Sequence, residues 1–266
     1  MIAHDTEVQA LIRDVATRIV MPRFRQLDAA QIEEKAPDEL VTIADRESEI
    51  ALTDSLTRLL PGSRVVGEEA CSVDASILDD IGQGVVWIVD PIDGTANFAA
   101  GETPFGIMVA LAVDGVSEAA WLYDPVQNRM CSAGRGQGAF VNGERTDART
   151  SGEAVPVAGL STKYLPPELR EDIERRAEGK LQCVGIPRCA AEQYPRVMLG
   201  TNDLALFWRT FVWDHAPGAL IVQEAGGKVA RFDGTPYDIT QTGKGLLAAA
   251  SPAMWDEAAA ILLGQA

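Results

Sequence analysis

Apolar side chains at Val8, Leu11, Ile12, Val15 and Ile19 recur at three- and four-residue spacing, which predicts an amphipathic helix at the start of the chain. A second helix is predicted where Leu52, Leu56 and Leu59 share one face, ending at Pro61-Gly62. Arg64 to Val66 reads as a short strand running into Gly67-Glu68-Glu69, and Val85 to Val89 as a continuous apolar strand buried on both faces. Ile107–Val113 and Val116–Tyr123 read as paired strands joined by Asp114-Gly115. A further pair is joined by Asn142-Gly143, both dipeptides that readily adopt positive φ. Beyond about residue 145 strands and helices alternate. Strands are expected at Val155–Leu160, Leu204–Trp208, Lys228–Phe232 and Leu246–Ala250. Helices are expected at Pro167–Glu178, at Ala216–Ala225 ending in Gly226-Gly227, and after the cap Ser251-Pro252, with Trp255, Ala258 and Leu262 inward.

This alternation predicts an α/β fold of layered helices and sheets in two halves, residues 1–145 and 146–266, without a flexible linker. The length of 266 residues and the 47% apolar content suit one large domain or two closely packed halves. With 23 Lys+Arg against 39 Asp+Glu, the formal charge is -16. Such a surface repels nucleic-acid backbones and anionic membranes, so neither is an expected partner. It would repel a phosphate ester too, unless cations bridge the gap. The N-terminal residues lack a basic region followed by an apolar stretch, so no signal peptide is expected. The longest apolar run is far short of the ~20 residues of a membrane helix. Cys71, Cys131, Cys183 and Cys189 form neither C-x-x-C pairs nor a disulfide framework, and read as reduced thiols of a cytoplasmic protein.

Acids fall where strands and helices end. In Trp87-Ile88-Val89-Asp90-Pro91-Ile92-Asp93-Gly94-Thr95, a buried strand delivers Asp90 to its exit and Pro91 forces a turn. Asp93 can then bring its carboxylate to the same side. Gly94 permits close backbone approach, and the N–H groups of Gly94 and Thr95 are candidates for binding phosphate oxygens. Two carboxylates this close require a cation between them, and hard oxygen ligands suit magnesium better than zinc. Glu68 ends a short strand, Asp45 lies near the start of its helix, and Asp214 precedes a helix that carries Pro217. Each alone reads as a surface acid or a helix cap.

Leu40-Val41-Thr42-Ile43-Ala44-Asp45, Gly67-Glu68-Glu69, Asp90 to Phe98, and Trp213-Asp214-His215-Ala216-Pro217-Gly218 through Glu224-Ala225-Gly226-Gly227 resemble the inositol monophosphatase family, in its order and at its approximate spacing. The resemblance covers nearly the whole chain. It implies an αβαβα sandwich, a homodimer, and a lithium-sensitive phosphomonoesterase that uses two or three magnesium ions to hydrolyse a small phosphorylated metabolite. It also implies that Glu68, Asp90 and the Ile92 carbonyl bind a first magnesium, and Asp90, Asp93 and Asp214 a second. Glu68 is further implied to hold a water on a third ion, while Thr95 and Asp45 orient and deprotonate the attacking water. Glu68 is the competing base, and the sequence does not decide between them. Where the family lines its pocket with Gly-Thr/Ser-Ala, this chain has Arg188-Cys189-Ala190, and Phe207 stands where the family places an acid that grips inositol hydroxyls. Lys163, Arg188 and Arg209 are candidates for meeting a second anionic group. Fructose bisphosphate, 3′-phosphoadenosine 5′-phosphate and histidinol phosphate therefore stand beside inositol phosphate as substrates. A regulator that binds metal or metabolite without turnover is the reading of a different class.

Other phosphatase chemistries lack their residues. A thiolate enzyme needs Cys and Arg separated by five residues, and Cys183 and Arg188 are separated by four. The only histidines are His4 and His215, with no Arg-His-Gly. An aspartyl-phosphate mechanism uses D-x-D where this chain has D-x-x-D.

Overall fold

The computed structural model describes residues 2–37 and 39–264. Helix α1 (Asp5–Val15) runs through a π-helical segment (Ala16–Val20) into α2 (Met21–Arg23). An antiparallel hairpin of β1 (Ile32–Ala36) and β2 (Glu39–Thr42) leads into α3 (Ile43–Leu59). A seven-stranded sheet follows, made of β3 (Arg64–Gly67), β4 (Val85–Asp93), β5 (Gly106–Val113), β6 (Val116–Asp124), β7 (Arg129–Gly134), β8 (Gly138–Val141) and β9 (Glu144–Thr146), adjacent in chain order. Helix α4 (Glu68–Val73) follows β3 and α5 (Thr95–Ala99) follows β4. The two-residue turns carry positive φ as their sequences predict: 47° and 81° at Asp114-Gly115, 50° and 86° at Asn142-Gly143.

A five-stranded mixed sheet, ordered β11-β10-β12-β14-β13, contains β10 (Val157–Leu160), β11 (Gln182–Val184), β12 (Leu204–Phe207), β13 (Lys228–Arg231) and β14 (Leu246–Ala249). Helices α6 (Pro167–Ala177), α7 (Ala190–Met198), α8 (Val212–Glu224) and α9 (Pro252–Leu263) complete the fold.

Alternation along the strands builds the layers. Trp87 and Val89 of β4 pack with Val8, Ile12, Leu52 and Leu56 of α1 and α3. The opposite face of that sheet (Met108, Leu122) shares a core with Tyr194, Val197, Leu220 and Ile221 of α7 and α8, and with Ala205 and Phe207 of β12. The other face of β12, Leu204 and Leu206, packs with Ile173, Trp255, Ala258 and Leu262 of α6 and α9. The order is therefore αβαβα, as the resemblance implies.

Two local expectations need correction, and one helix was not expected. Strand β10 begins at Val157, and Val155 is exposed. Helix α8 begins at Val212, not Ala216, which places Asp214 inside its first turn and Pro217 in its interior. Asp214 is thus not the cap of a later helix. Helix α7 carries Pro195 in its interior and buries Glu192 and Gln193. Pro195 hides this helix from propensity, although Ala190, Ala191, Tyr194, Val197 and Met198 recur at helical spacing.

Candidate active site

Strand β4 creates the site. Val86 and Ile88 face the same side as Trp213 and Ala216 of α8, and the period-two alternation carries Asp90 to that side too. In a regular strand Asp93, three residues on, would point the other way. The ladder to β5 instead pairs Asp90 with Met108 and Asp93 with Gly106, so three steps on β4 oppose two on β5. This bulge returns Asp93 to the side of Asp90. Gly94 then takes φ 85°, and a Cβ there would lie 3.0 Å from the Pro104 carbonyl, so both conformation and space call for glycine.

Oxygen atoms of Asp90, Asp93 and Asp214 all lie within 4.8 Å of one another. Burial, then the charges of Glu68, Asp93 and Asp214, raises the Asp90 carboxyl well above its usual range. Burial and the neighbouring Asp93 and Glu68 do the same to Asp214, with Arg209 opposing. Asp93 is pushed to about 6 by burial, against a hydrogen bond from the Ala191 N–H (2.5 Å) at the start of α7. Three clustered carboxylates, Asp90 buried and Asp214 half-buried, suit a divalent cation, and all-oxygen donors suit a hard one.

Glu68 lines the same cleft but stands outside this compact trio. The Lys35 ammonium donates to both Glu68 Oε1 and Glu69 Oε1 at 2.7 Å, so the β1–β2 hairpin supplies a countercharge. Behind Glu68, Glu49 of α3 accepts from the N–H groups of Glu69 and Ala70, both at 2.8 Å, and thereby caps α4. A Cβ at Gly67 would lie 2.4 Å from the Glu49 carboxyl, so the cap fits only against glycine. The sequence reading missed both Glu49 and Lys35. Neither has a motif, because each acts through a partner distant in the chain.

Thr95 opens α5, and its hydroxyl lies 3.1 Å from Asp45 Oδ1 and 2.9 Å from the Ile92 carbonyl. Asp45 is fully buried in the first turn of α3, where Thr42 donates its N–H (2.9 Å) and hydroxyl (2.5 Å) to Oδ2 in a capping box. Burial raises this carboxyl to about 7, the Thr42 bonds oppose it, and Glu69 and Glu68 add to it. Gly94 and Thr95 both line the cleft at a helix start, where backbone N–H groups lack intrahelical partners.

A larger cavity of about 620 Å³ adjoins the cleft and is lined by Lys163, Arg188, Cys189, Ala190, Phe207 and Arg209 among others, so the structure brings these six together. Asp93, Asp214 and Arg188 border both spaces. Phe207 stacks on Tyr194 and meets His215 edge-on, each at 5.0 Å between centroids. His215 is buried and pushed to about 4 by burial. It is therefore neutral, with Nδ1 2.7 Å from the Tyr194 hydroxyl and Nε2 2.9 Å from the Arg209 carbonyl. It braces the cavity wall.

Residues 3–265 match the profile of the inositol monophosphatase family. The chain is 31% identical to the Nus factor SuhB of Pseudomonas aeruginosa, over 83% of this chain and 82% of that one. It is 29% identical to an inositol-1-monophosphatase of Caulobacter vibrioides, over 88% and 91%. In three dimensions it superposes on a Thermotoga maritima IMPase with a TM-score of 0.82 at 26% identity, covering 99% of this chain and 98% of that one. The carboxylate trio at the β4 bulge, the layer order and the whole-length match agree: this chain belongs to the inositol monophosphatase family.

Proposed function

We propose that the chain is a magnesium-dependent phosphomonoesterase acting on a small phosphorylated metabolite. The observation that carries this reading is the Thr95–Asp45 pair set beside the clustered carboxylates of Asp90, Asp93 and Asp214. Those three, with Glu68 and the Ile92 carbonyl, would hold the ions. Bound divalent ions would make water a competent nucleophile near neutral pH and offset charge on phosphoryl oxygens.

The chain's own groups do the rest. Thr95 orients the attacking water, and Asp45 takes the proton through the Thr95 hydroxyl, which a threonine cannot accept unaided. The water oxygen bonds to phosphorus as the bond to the leaving oxygen breaks. That oxygen takes up a proton, leaving an alcohol and inorganic phosphate. N–H groups of Gly94 and Thr95 hold phosphoryl oxygens. Glu68, whose Oε1 accepts from the Lys35 ammonium, is the competing candidate for the base, and it makes no contact with the Thr95 hydroxyl.

Phosphate release with magnesium, over a panel of inositol, sugar and nucleotide phosphates, tests the proposal. Turnover of at least one ester by wild type, abolished in Asp90→Asn, is expected. An inactive wild type, or an unaffected variant, would remove the reading. Inhibition by millimolar lithium and a dimeric mass by light scattering belong to the same proposal.

A second reading, a binding factor without turnover, is favoured by the relatives named Nus factor SuhB. The Thr95–Asp45 pair weighs against it, since binding alone needs no group to activate water. The surface charge of -16 weighs against direct nucleic-acid contact. Metabolite binding by calorimetry with no phosphate release across the panel would establish it instead.

A further inference from the structure

We infer that the substrate carries a second anionic group on its leaving-group side, and that Arg188 is the residue that selects for it; this rests on the hydrolase reading above. Arg188, like Arg209, borders both the metal cleft and the adjoining cavity, where a leaving group passes from one to the other. The other cations at this mouth whose contacts are resolved are already matched: Lys35 to Glu68 and Glu69, and Arg209 to Glu39. Arg188 bonds only to a neutral amide, donating from Nη2 to Asn97 Oδ1 at 3.3 Å, and among the described residues no carboxylate pairs with it. A guanidinium offers five N–H donors, and one long bond leaves most of that capacity for a ligand.

The chain also places this arginine against its own preference. Arg188 sits at φ 54°, a left-handed conformation that a long side chain rarely adopts. The segment is fastened by Asn97 of α5, whose buried amide donates to the carbonyls of Pro104 (2.7 Å) and Pro187 (3.0 Å) while its oxygen receives Arg188. Thr95 and Asn97 belong to one short helix, so the phosphate-binding turn and the arginine keep a set separation. The space beyond is walled on one side by Phe207, Trp208 and Tyr164, with Glu34 and Lys163 also lining it. A ring-bearing leaving group with a distal phosphate matches an apolar wall and an unneutralised guanidinium together.

Two matched ester pairs test this: adenosine 3′-phosphate with adenosine 3′,5′-bisphosphate, and fructose 1-phosphate with fructose 1,6-bisphosphate. In each the same bond breaks, water displacing the alkoxide from phosphorus, and only the second phosphate differs. Wild type is expected to favour a bisphosphate in at least one pair by about tenfold or more in kcat/KM, from the worth of a charge-assisted bond. Arg188→Gly removes the guanidinium and relieves the left-handed backbone, so the fold is spared. It should abolish the preference through KM of the bisphosphate, leaving kcat and both monophosphates nearly unchanged, while Arg188→Lys keeps part of the preference. No wild-type preference, or equal losses on both esters of a pair, would overturn the role of Arg188 and leave the hydrolase reading standing. Wild type inactive on all four esters and across the wider panel would remove both.

Discussion

At the scale of single residues, chemistry concentrates in one hydroxyl and the carboxylate behind it. Asp45 is a useful base because burial holds its carboxyl near 7, where it is partly ionised at working pH and still able to accept a proton. Its active form is the deprotonated one, so kcat/KM should rise with pH through the Asp45 titration and fall below it. Bound cations nearby would move that acid limb below 7 by favouring the ionised carboxylate. Thr95→Ala and Asp45→Asn are each expected to lower kcat by about a hundred- to ten-thousandfold, with little change in the magnesium needed for half-maximal rate. The double variant should cost no more than either single change, because the two act as one unit. A pH profile and a magnesium titration on the three variants check this. Additive losses, or an unmoved acid limb in Asp45→Asn, would return the base role to Glu68.

At the scale of elements, the site depends on how strands and helices end. Glu49 shows this most directly. It closes the N-terminus of α4 from a neighbouring helix, so the first residue of α4, Glu68, is aimed by a side chain nineteen positions earlier. Glu49→Gln leaves one acceptor oxygen for two N–H groups, and losing a cap bond costs about 1 kcal/mol. The expected result is a several-fold higher magnesium requirement with kcat at saturation nearly unchanged, read from a magnesium titration. An unchanged requirement would mean that α4 is held without Glu49. The strand and hairpin elements were legible in the sequence because each advertises itself locally: apolar runs at Val85–Val89 and Ile107–Val113, and Asp-Gly or Asn-Gly at the turns. The acids gathered at the β4 bulge were legible for the same reason, since D-x-x-D-G spans a single turn. Helix α7 was not, because its interior proline argues against a helix and buried Glu192 is satisfied by Arg129, distant in the chain on β7. The bonds of Lys35 and Glu49 span 33 and 20 residues or more, and such contacts leave no periodic trace.

At the scale of the whole molecule, the centre stores charge repulsion that the fold must withstand. Asp45 is pushed to about 7, Glu49 and Asp93 to about 6, and Asp90 and Asp214 are raised as well, with burial the leading cause in each. In the unfolded chain these carboxyls return to near 4. Between about pH 4 and pH 7 the native state therefore holds more protons than the unfolded one, so stability falls as pH rises through this window. His215, held neutral by burial with its imidazole pushed to about 4, works in the opposite sense within the same window but is one group against five carboxyls. Pairing of exposed acids, such as Asp14 with Arg18 and Glu33 with Arg46, opposes the trend only at lower pH. Chelator-treated protein should thus melt at a higher temperature at pH 5 than at pH 8. Magnesium binds the ionised carboxylates of the native state alone, so its stabilisation should be small at pH 5 and large at pH 8. Thermal unfolding at several pH values, with chelator or with magnesium, measures both trends. The overall charge of -16 also opposes compaction as acids ionise, and a variant with Asp90, Asp93 and Asp214 all changed to Asn separates the two sources. If the carboxylate trio dominates, that variant should lose most of the pH slope and nearly all of the magnesium response. A slope that survives the triple change would assign it to Asp45, Glu49 and the surface, and a melting temperature that rises from pH 5 to pH 8 would contradict the proton inventory of the site.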